Sequence, residues 1–201
     1  ASCLVGSEMC IRDRAERVKI QYGTSMCYPV SSMGSHVSVV PNHQLNRKTP
    51  LHTRANVAYF GTFGYELDLN KLSDEEISEV KQQITFMKEY RELIQFGTFY
   101  RLKSPFEGNE TVWMTVSEDK KTALVFWYRE RNVVNADFTR VRLQGLDPDL
   151  IYRNEYNETE NYGDELMNLG LLTTDCTAGE PTSEDEPCTD YESRIYVLTA
   201  K

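Results

Sequence analysis

The chain has 201 residues, 40% hydrophobic and 26% charged, a balance typical of one globular domain or two small ones. Its formal net charge of −9 argues against nucleic acid or an anionic membrane as partner, because both attract basic surfaces. No apolar stretch approaches the roughly 20 residues that a membrane-spanning helix needs.

Residues 1–14 differ in character from the rest of the chain. The stretch ASCLVGSEMCIRDR has an acidic residue inside its apolar part and basic residues at the wrong end for a signal peptide. Its second half, EMCIRDR, is similar to translated sequencing-adapter sequence. We therefore interpret residues 1–14 as a non-native leader that carries no chemistry.

The most informative stretch is KIQYGTSMCYPVSSMGSHVSVVPNHQ, residues 19–44. An apolar run over 26–30 is followed by a small, polar, glycine-containing segment over 31–36. This pattern predicts a strand that feeds a loop facing a polar cavity. Because binding groups often lie on loops that a rigid element positions, four residues are candidate site residues: Ser31, Ser32, Met33 and His36.

A helix is predicted directly after this stretch. Thr49 and Pro50 are typical of an N-cap and of the first helical position, respectively. The helix is expected to run to about Phe60, and Gly61 and Gly64 indicate a turn behind it.

A longer helix is predicted from residue 73 onward. Ser73 and Glu76 form a capping-box pattern, in which each side chain can bond the other residue's amide. An apolar stripe at helical spacing then continues for about twenty residues. Its members are Ile77, Val80, Ile84, Met87 and Ile94.

From Phe96 the pattern changes to that of β-strands. A hairpin signal at 117–121 and a turn signal at 145–149 separate short β-rich runs. Strands are predicted at 111–116, 122–128, 151–156 and 194–199. Their spacing predicts an antiparallel sandwich.

Residues 173–191 interrupt the strand pattern. They contain six acidic residues and two prolines but no Lys or Arg, a composition typical of a solvated surface loop. Cys176 and Cys188 in this loop can be bridged or remain thiols. No metal site is expected, because His36, His43 and His52, spaced seven and nine residues apart, match no ligand pattern.

Four strings of the chain, in the same order, resemble glycoside hydrolase family 36, the α-galactosidases that cleave raffinose and melibiose. Besides residues 19–44 these are NVAYFGTFGYELDLNKLSDEE at 56–76, RELIQFGTFYRLKSPFEGNET at 91–111 and GDELMNLGL at 163–171. The resemblance implies a retaining enzyme with a TIM-barrel catalytic domain and a C-terminal β-sandwich, of which this chain is the end.

The fold class implied is therefore an α/β remnant, the last βα unit of a TIM barrel, followed by an all-β antiparallel sandwich domain. The domains expected are residues 15–95 for the end of the barrel with its connecting helix, and residues 96–201 for the sandwich.

The resemblance also places the catalytic acids outside this sequence. In the family, the acid/base aspartate lies in a Ser-Asp-Asn-Thr-Asp-like stretch just before the helix matched by residues 15–19. Here that position falls on Cys10 or a neighbour, and Asp13 lies near the second aspartate of the stretch by coincidence. The nucleophile, in an upstream Lys-Trp-Asp motif, has no counterpart. Since a retaining glycosidase needs both carboxylates, we predict no catalytic residue here and no activity of this chain alone.

Further expectations follow from the resemblance. Ser31, Ser32 and Met33 would line the galactose pocket at the barrel mouth, and His36 would either form a hydrogen-bonding wall or satisfy loop backbone groups. No metal or organic cofactor is implied. The expected substrate is an α-galactoside bound through the full-length enzyme, the location is cytoplasmic, and the family often forms tetramers.

A different class of function stays open, namely a non-catalytic carbohydrate-binding or interaction module built on the sandwich. Residues 126–129, Phe-Trp-Tyr-Arg, would then form a sugar platform. We favour an alternation of these side chains between the core and a barrel interface.

Overall fold

A computed structural model describes residues 14–41, 49–133, 138–173 and 190–201. The chain divides after Phe96 into two compact units. The predictions made for Cys10, Asp13, His43, Cys176 and Cys188 lie outside the described residues.

The first unit is an α/β arrangement on two parallel strands. Its elements are α1 (Arg14–Thr24), a 3-10 helix (Val30–Ser32), β1 (Gly34–Ser38), α2 (Leu51–Tyr59), β2 (Thr62–Glu66), a 3-10 helix (Leu69–Lys71) and α3 (Asp74–Phe96). Strands β1 and β2 pair in parallel, with His36 opposite Gly64. Because parallel neighbours need a crossover connection, α2 returns the chain from the end of one strand to the start of the next.

The predicted α/β character is confirmed, but the predicted strand position is wrong. Met26 and Tyr28 are exposed residues after α1, and the strand begins at Gly34, inside the expected loop. The reason is that β1 is built from small and polar residues. Ser35 is fully buried because its hydroxyl accepts a hydrogen bond of 2.7 Å from Gln21 Nε2, so the strand needs no apolar side chain there.

Two smaller expectations also change. Pro50, rather than Thr49, is the N-cap of α2, with φ −51° and ψ 149°. Gly61 lies at the predicted bend between α2 and β2, where its amide donates to the Tyr59 carbonyl at 2.9 Å, but Gly64 lies inside β2. The aromatic residues beside these glycines supply the alternating pattern of a strand.

Helix α3 confirms its sequence signals. The Ser73 amide donates to Glu76 Oε2 at 3.0 Å, and the Glu76 amide donates to Ser73 Oγ at 3.2 Å, which is the predicted capping box. Val80, Met87 and Ile94 of the apolar stripe are buried.

The second unit is an antiparallel β structure. Its elements are β3 (Thr98–Lys103), β4 (Glu110–Val116), β5 (Thr122–Arg129), β6 (Arg140–Val141), β7 (Ile151–Asn154), β8 (Glu160–Tyr162), α4 (Gly163–Asn168), β9 (Leu171–Leu172) and β10 (Glu192–Ala200). Six strands form one sheet in the order β3-β4-β5-β10-β7-β8, while β6 and β9 form a second, two-stranded sheet.

The core of this unit lies between the large sheet and the segment that carries β6, α4 and β9. Alternate residues of β4 and β5, such as Met114 and Val125, pack with Val141, Leu143 and Leu166 of that segment. The predicted hairpin and the predicted final strand are confirmed, and the sandwich architecture follows from this two-layer packing.

Candidate functional site

The two faces of the parallel pair differ in chemistry. Along β1, Ser35 and Val37 are fully buried, whereas Gly34, His36 and Ser38 are half-buried. Since side chains alternate along a strand, the two sets point to opposite faces.

One face is covered by helices. Phe63 of β2 stacks on Tyr59 of α2 with ring centroids 5.1 Å apart, and Tyr59 contacts Phe86 of α3 at 4.8 Å. Tyr65 donates from its hydroxyl to Gln83 of α3 at 2.8 Å. Phe63 and Tyr65 therefore belong to the layer between the strands and the helices.

The other face is small and polar. We call it the polar face. It consists of Gly34, His36 and Ser38 of β1 with Thr62, Gly64 and Glu66 of β2. None of these six residues is fully buried. Hydroxyl, imidazole and carboxylate groups beside glycine backbone can hydrogen-bond a polar ligand.

The imidazole of His36 lies against the backbone of Gly64. A Cβ atom added to Gly64 would be 2.7 Å from His36 Cδ2 and 3.3 Å from Nε2. The absence of a side chain at position 64 thus makes room for the ring.

Of the four predicted site residues, only His36 is on the polar face. Ser31 and Ser32 lie in the 3-10 helix before β1, and the Ser32 hydroxyl donates to the Pro29 carbonyl at 2.8 Å. Met33 is buried, and its carbonyl accepts from the Thr62 amide at 2.6 Å. The premise that these residues follow a strand is wrong, because they precede one. Their role in lining a pocket stays a prediction.

Sequence reasoning missed Gly64 and Glu66. Glu66 is exposed at the carboxyl end of β2, the end at which β/α folds bind their ligands. The signal was present in residues 62–66, Thr-Phe-Gly-Tyr-Glu, because aromatic and non-aromatic residues alternate there with a period of two.

Buried polar side chains from α1 and α2 hold β1 in place. Arg17 is fully buried and donates to the carbonyl of His36. Arg54, also buried, donates to Ser38 O at 2.8 Å and to Thr49 O at 3.1 Å, so one guanidinium joins the end of β1 to the start of α2. Gln21 donates to Ser35 and, at 3.4 Å, to Phe60 O.

On the helix-covered side, burial keeps the hydroxyl groups of Tyr59 and Tyr65 protonated. Burial raises the pKa of Tyr65, and Glu79 adds to the shift. Burial likewise raises the pKa of Tyr59, with smaller contributions from Tyr65 and Glu79. Burial lowers the pKa of Arg54, whereas Glu76 and Glu79 act in the opposite direction. Tyr59 and Tyr65 are thus suited to packing rather than to proton transfer near neutral pH.

The residues that the structure describes contain no cluster of three or more His, Cys, Asp or Glu side chains that could hold a metal ion. Within the same residues, no helix combines the length and the apolar character needed to cross a bilayer.

The second unit shows no exposed aromatic platform at residues 126–129. Phe126, Trp127, Tyr128 and Arg129 are all buried, and the guanidinium of Arg129 lies 5.4 Å from the Trp127 ring centroid. A sugar platform at these residues is therefore wrong. An open cavity of about 410 Å³ on this unit has no aromatic residue in its lining, which consists of Arg153, Glu155, Thr199, Ala200 and Lys201.

Two family models match the chain. The model described as Melibiase matches residues 8–97, and the model described as Glycosyl hydrolase family 36 C-terminal domain matches residues 110–198. The boundary between the two matches lies close to the division between the two compact units.

Curated relatives are α-galactosidases. The chain is 53% identical over 159 residues to alpha-galactosidase AgaA from Geobacillus stearothermophilus, which covers 79% of the chain and 22% of AgaA. It is 45% identical over 188 residues to alpha-galactosidase 1 from Pediococcus pentosaceus, covering 94% of the chain and 24% of that protein. The chain therefore spans about a fifth to a quarter of the length of these relatives.

Solved structures of α-galactosidases share the fold. The AgaA crystal structure matches with a TM-score of 0.85 at 46% identity, and the α-galactosidase from Lactobacillus brevis matches with a TM-score of 0.87 at 43% identity. Each match covers 94% of this chain and 25% of the other. AgaA variants have been solved in complex with raffinose and with stachyose.

Proposed function

The chain belongs to glycoside hydrolase family 36, and on that basis we propose that it forms the C-terminal part of a retaining α-galactosidase. The whole enzyme would remove terminal α-linked galactose from raffinose- and melibiose-type oligosaccharides. The first unit would complete the catalytic barrel, and the second would be the C-terminal sandwich.

The observation that carries this proposal is the polar face of the β1–β2 pair. In a β/α barrel the helices pack on the outside of the strands, so the face opposite the helices points to the interior, and its residues at the carboxyl ends of the strands lie nearest the ligand. Here that face bears His36, Ser38, Thr62 and Glu66 instead of branched apolar residues. These groups suit a neutral, hydroxyl-rich ligand such as a galactoside.

The polar face would bind and orient the sugar but would not break the glycosidic bond. A retaining glycosidase uses two carboxylates about 5 Å apart, one as nucleophile and one as acid and then base. Among the six residues of the polar face, Glu66 is the one carboxylate. We therefore expect the 201-residue polypeptide to lack activity when it is assayed alone.

The test is a full-length chimera. The region of AgaA that matches this chain would be replaced by the corresponding residues of the chain, and hydrolysis of a chromogenic α-galactoside would be measured. AgaA lacking that region and the isolated 201-residue polypeptide are the matched controls. We expect turnover by the chimera and none by either control.

The possible failures are distinct. A folded but inactive chimera would overturn the assignment as part of an α-galactosidase. Turnover by the isolated polypeptide would instead overturn the claim that the reacting carboxylates come from elsewhere. Saturable raffinose binding by the isolated polypeptide without turnover would favour the non-catalytic module.

A further inference from the structure

The imidazole of His36 lies in the space left by the missing side chain of Gly64. His36 and Gly64 are direct partners in the parallel register of β1 and β2. A Cβ at position 64 would be 2.7 Å from His36 Cδ2, closer than real Cβ atoms come to carbon. The ring therefore occupies volume that any other residue at position 64 would fill.

Gly34, on the same face, does not constrain the ring in this way. A Cβ at position 34 would meet His36 Cε1 at 3.8 Å, an ordinary van der Waals contact. Neither glycine has a positive φ, so alanine suits the backbone at both positions. An added methyl group would therefore clash with the His36 ring at position 64 but not at position 34.

The pressure at position 64 falls on a side chain and not on the backbone. The atoms that a Cβ would meet there all belong to the half-buried imidazole of His36. At Gly61, by contrast, the added atom would meet Ser35 Cβ at 2.7 Å and the backbone carbonyl oxygen of Met33 at 2.8 Å, so backbone as well as side-chain atoms would have to move. Alanine at position 64 is therefore expected to move the imidazole and leave the fold intact.

We propose that Gly64 is a positioning residue that sets the orientation of the His36 imidazole toward a hydroxyl group of the bound galactoside. This inference rests on the proposed function. The imidazole can donate or accept one hydrogen bond through a ring nitrogen. The buried Arg17 guanidinium, which donates to the His36 carbonyl, fixes the backbone from which the ring projects.

The orientation is tested without any substrate. The chain has three histidines, so ¹³C-histidine labelling of the 201-residue polypeptide gives three imidazole signals, and His36→Gln identifies one of them. We expect Gly64→Ala to shift the His36 signal and Gly34→Ala to leave it in place. An unshifted His36 signal in folded Gly64→Ala would overturn the positioning role.

The consequence for binding is tested in the AgaA chimera. If one hydrogen bond to the sugar is lost, Gly64→Ala raises KM for raffinose about tenfold and changes kcat less than about twofold. Gly108→Ala, at a glycine of the second unit with open space around it, should leave both constants within about twofold of the parent chimera. His36→Gln should raise KM, and adding Gly64→Ala to it should have no further effect, because both changes remove the same contact.

The outcomes separate the two proposals. An inactive parent chimera refutes the proposed function. An active chimera in which Gly64→Ala leaves KM unchanged refutes the role of His36 in sugar binding, even where the imidazole signal has moved. Additive effects of Gly64→Ala and His36→Gln would show that Gly64 acts through something other than His36, which contradicts the proposal.

Discussion

Glu110→Ala, which removes the whole carboxylate group, should destabilise the second unit by about 2–4 kcal/mol. This carboxylate accepts three hydrogen bonds: from Lys103 Nζ at 2.5 Å, from Trp127 Nε1 at 3.2 Å and from Thr139 Oγ1 at 3.1 Å. It thereby joins β3, β4 and β5 to the segment that leads into β6. Its side chain is 14% exposed, so water has little access to replace these bonds.

The magnitude depends on which donors lose their acceptor. Trp127 is buried, and an indole N–H without an acceptor costs about 1–3 kcal/mol. The Lys103 side chain is 31% exposed and regains water, so its bond contributes less than a fully buried ion pair would. Glu110→Gln keeps an acceptor for Trp127 and Thr139 but loses the charge, and about 1–2 kcal/mol is expected for it.

The assay is urea unfolding followed by tryptophan fluorescence. The chain has two tryptophans, Trp113 and Trp127, and both lie in the second unit. Glu160→Gln is the matched control, because Lys201 and Glu160 are also 2.5 Å apart but their side chains are 58% and 44% exposed. It should change the free energy of unfolding by less than about 0.5 kcal/mol. Equal effects of Glu110→Gln and Glu160→Gln would refute the argument from burial.

Three further changes test local structure. Ser73→Ala removes the N-terminal cap of α3 and should cost about 1 kcal/mol by thermal unfolding, whereas exposed Ser78→Ala should be near neutral. Gly145 has φ +76° and packs against the Tyr100 phenol, so Gly145→Ala should cost about 1–3 kcal/mol; Gly108→Ala, with open space around it, should not. Hydrogen bonds from Ser117 and from the Lys121 amide hold the pKa of exposed Asp119 below its usual range. That stabilisation is complete above the unfolded pKa of about 3.9 and is lost as the pH falls through the lower folded value. Asp119→Asn should therefore lower Tm at pH 7 and have a smaller effect at pH 2; an equal loss at both would contradict this account.

Sequence patterns predicted the elements whose stability depends on local signals. The capping box at Ser73 and Glu76 and the apolar stripe of α3 are properties of neighbouring residues, and both are present in the structure. The β4–β5 hairpin has the same property, because alternation and turn residues define it within twenty positions.

The strand β1 could not be predicted in this way. Its buried face contains Ser35, whose hydroxyl is satisfied by Gln21, fourteen residues earlier in the chain. A hydroxyl that appears solvent-exposed in the sequence becomes a core residue only when a helix brings an amide to it. The residues over 26–30 were more apolar than β1 itself, and they gave the false strand.

The small and polar residues that made β1 hard to predict also suit this strand to the proposed site. An apolar alternating strand is easy to predict, but it would present an apolar wall that offers sugar hydroxyls no hydrogen bonds. In β1 and β2, glycines leave room, and His36, Ser38 and Thr62 supply polar groups on the face away from the helices. A conflict between local pattern and final fold is expected where function, rather than stability, determines the residues. The failure of the strand prediction over residues 31–36 is therefore what the proposed ligand site would produce.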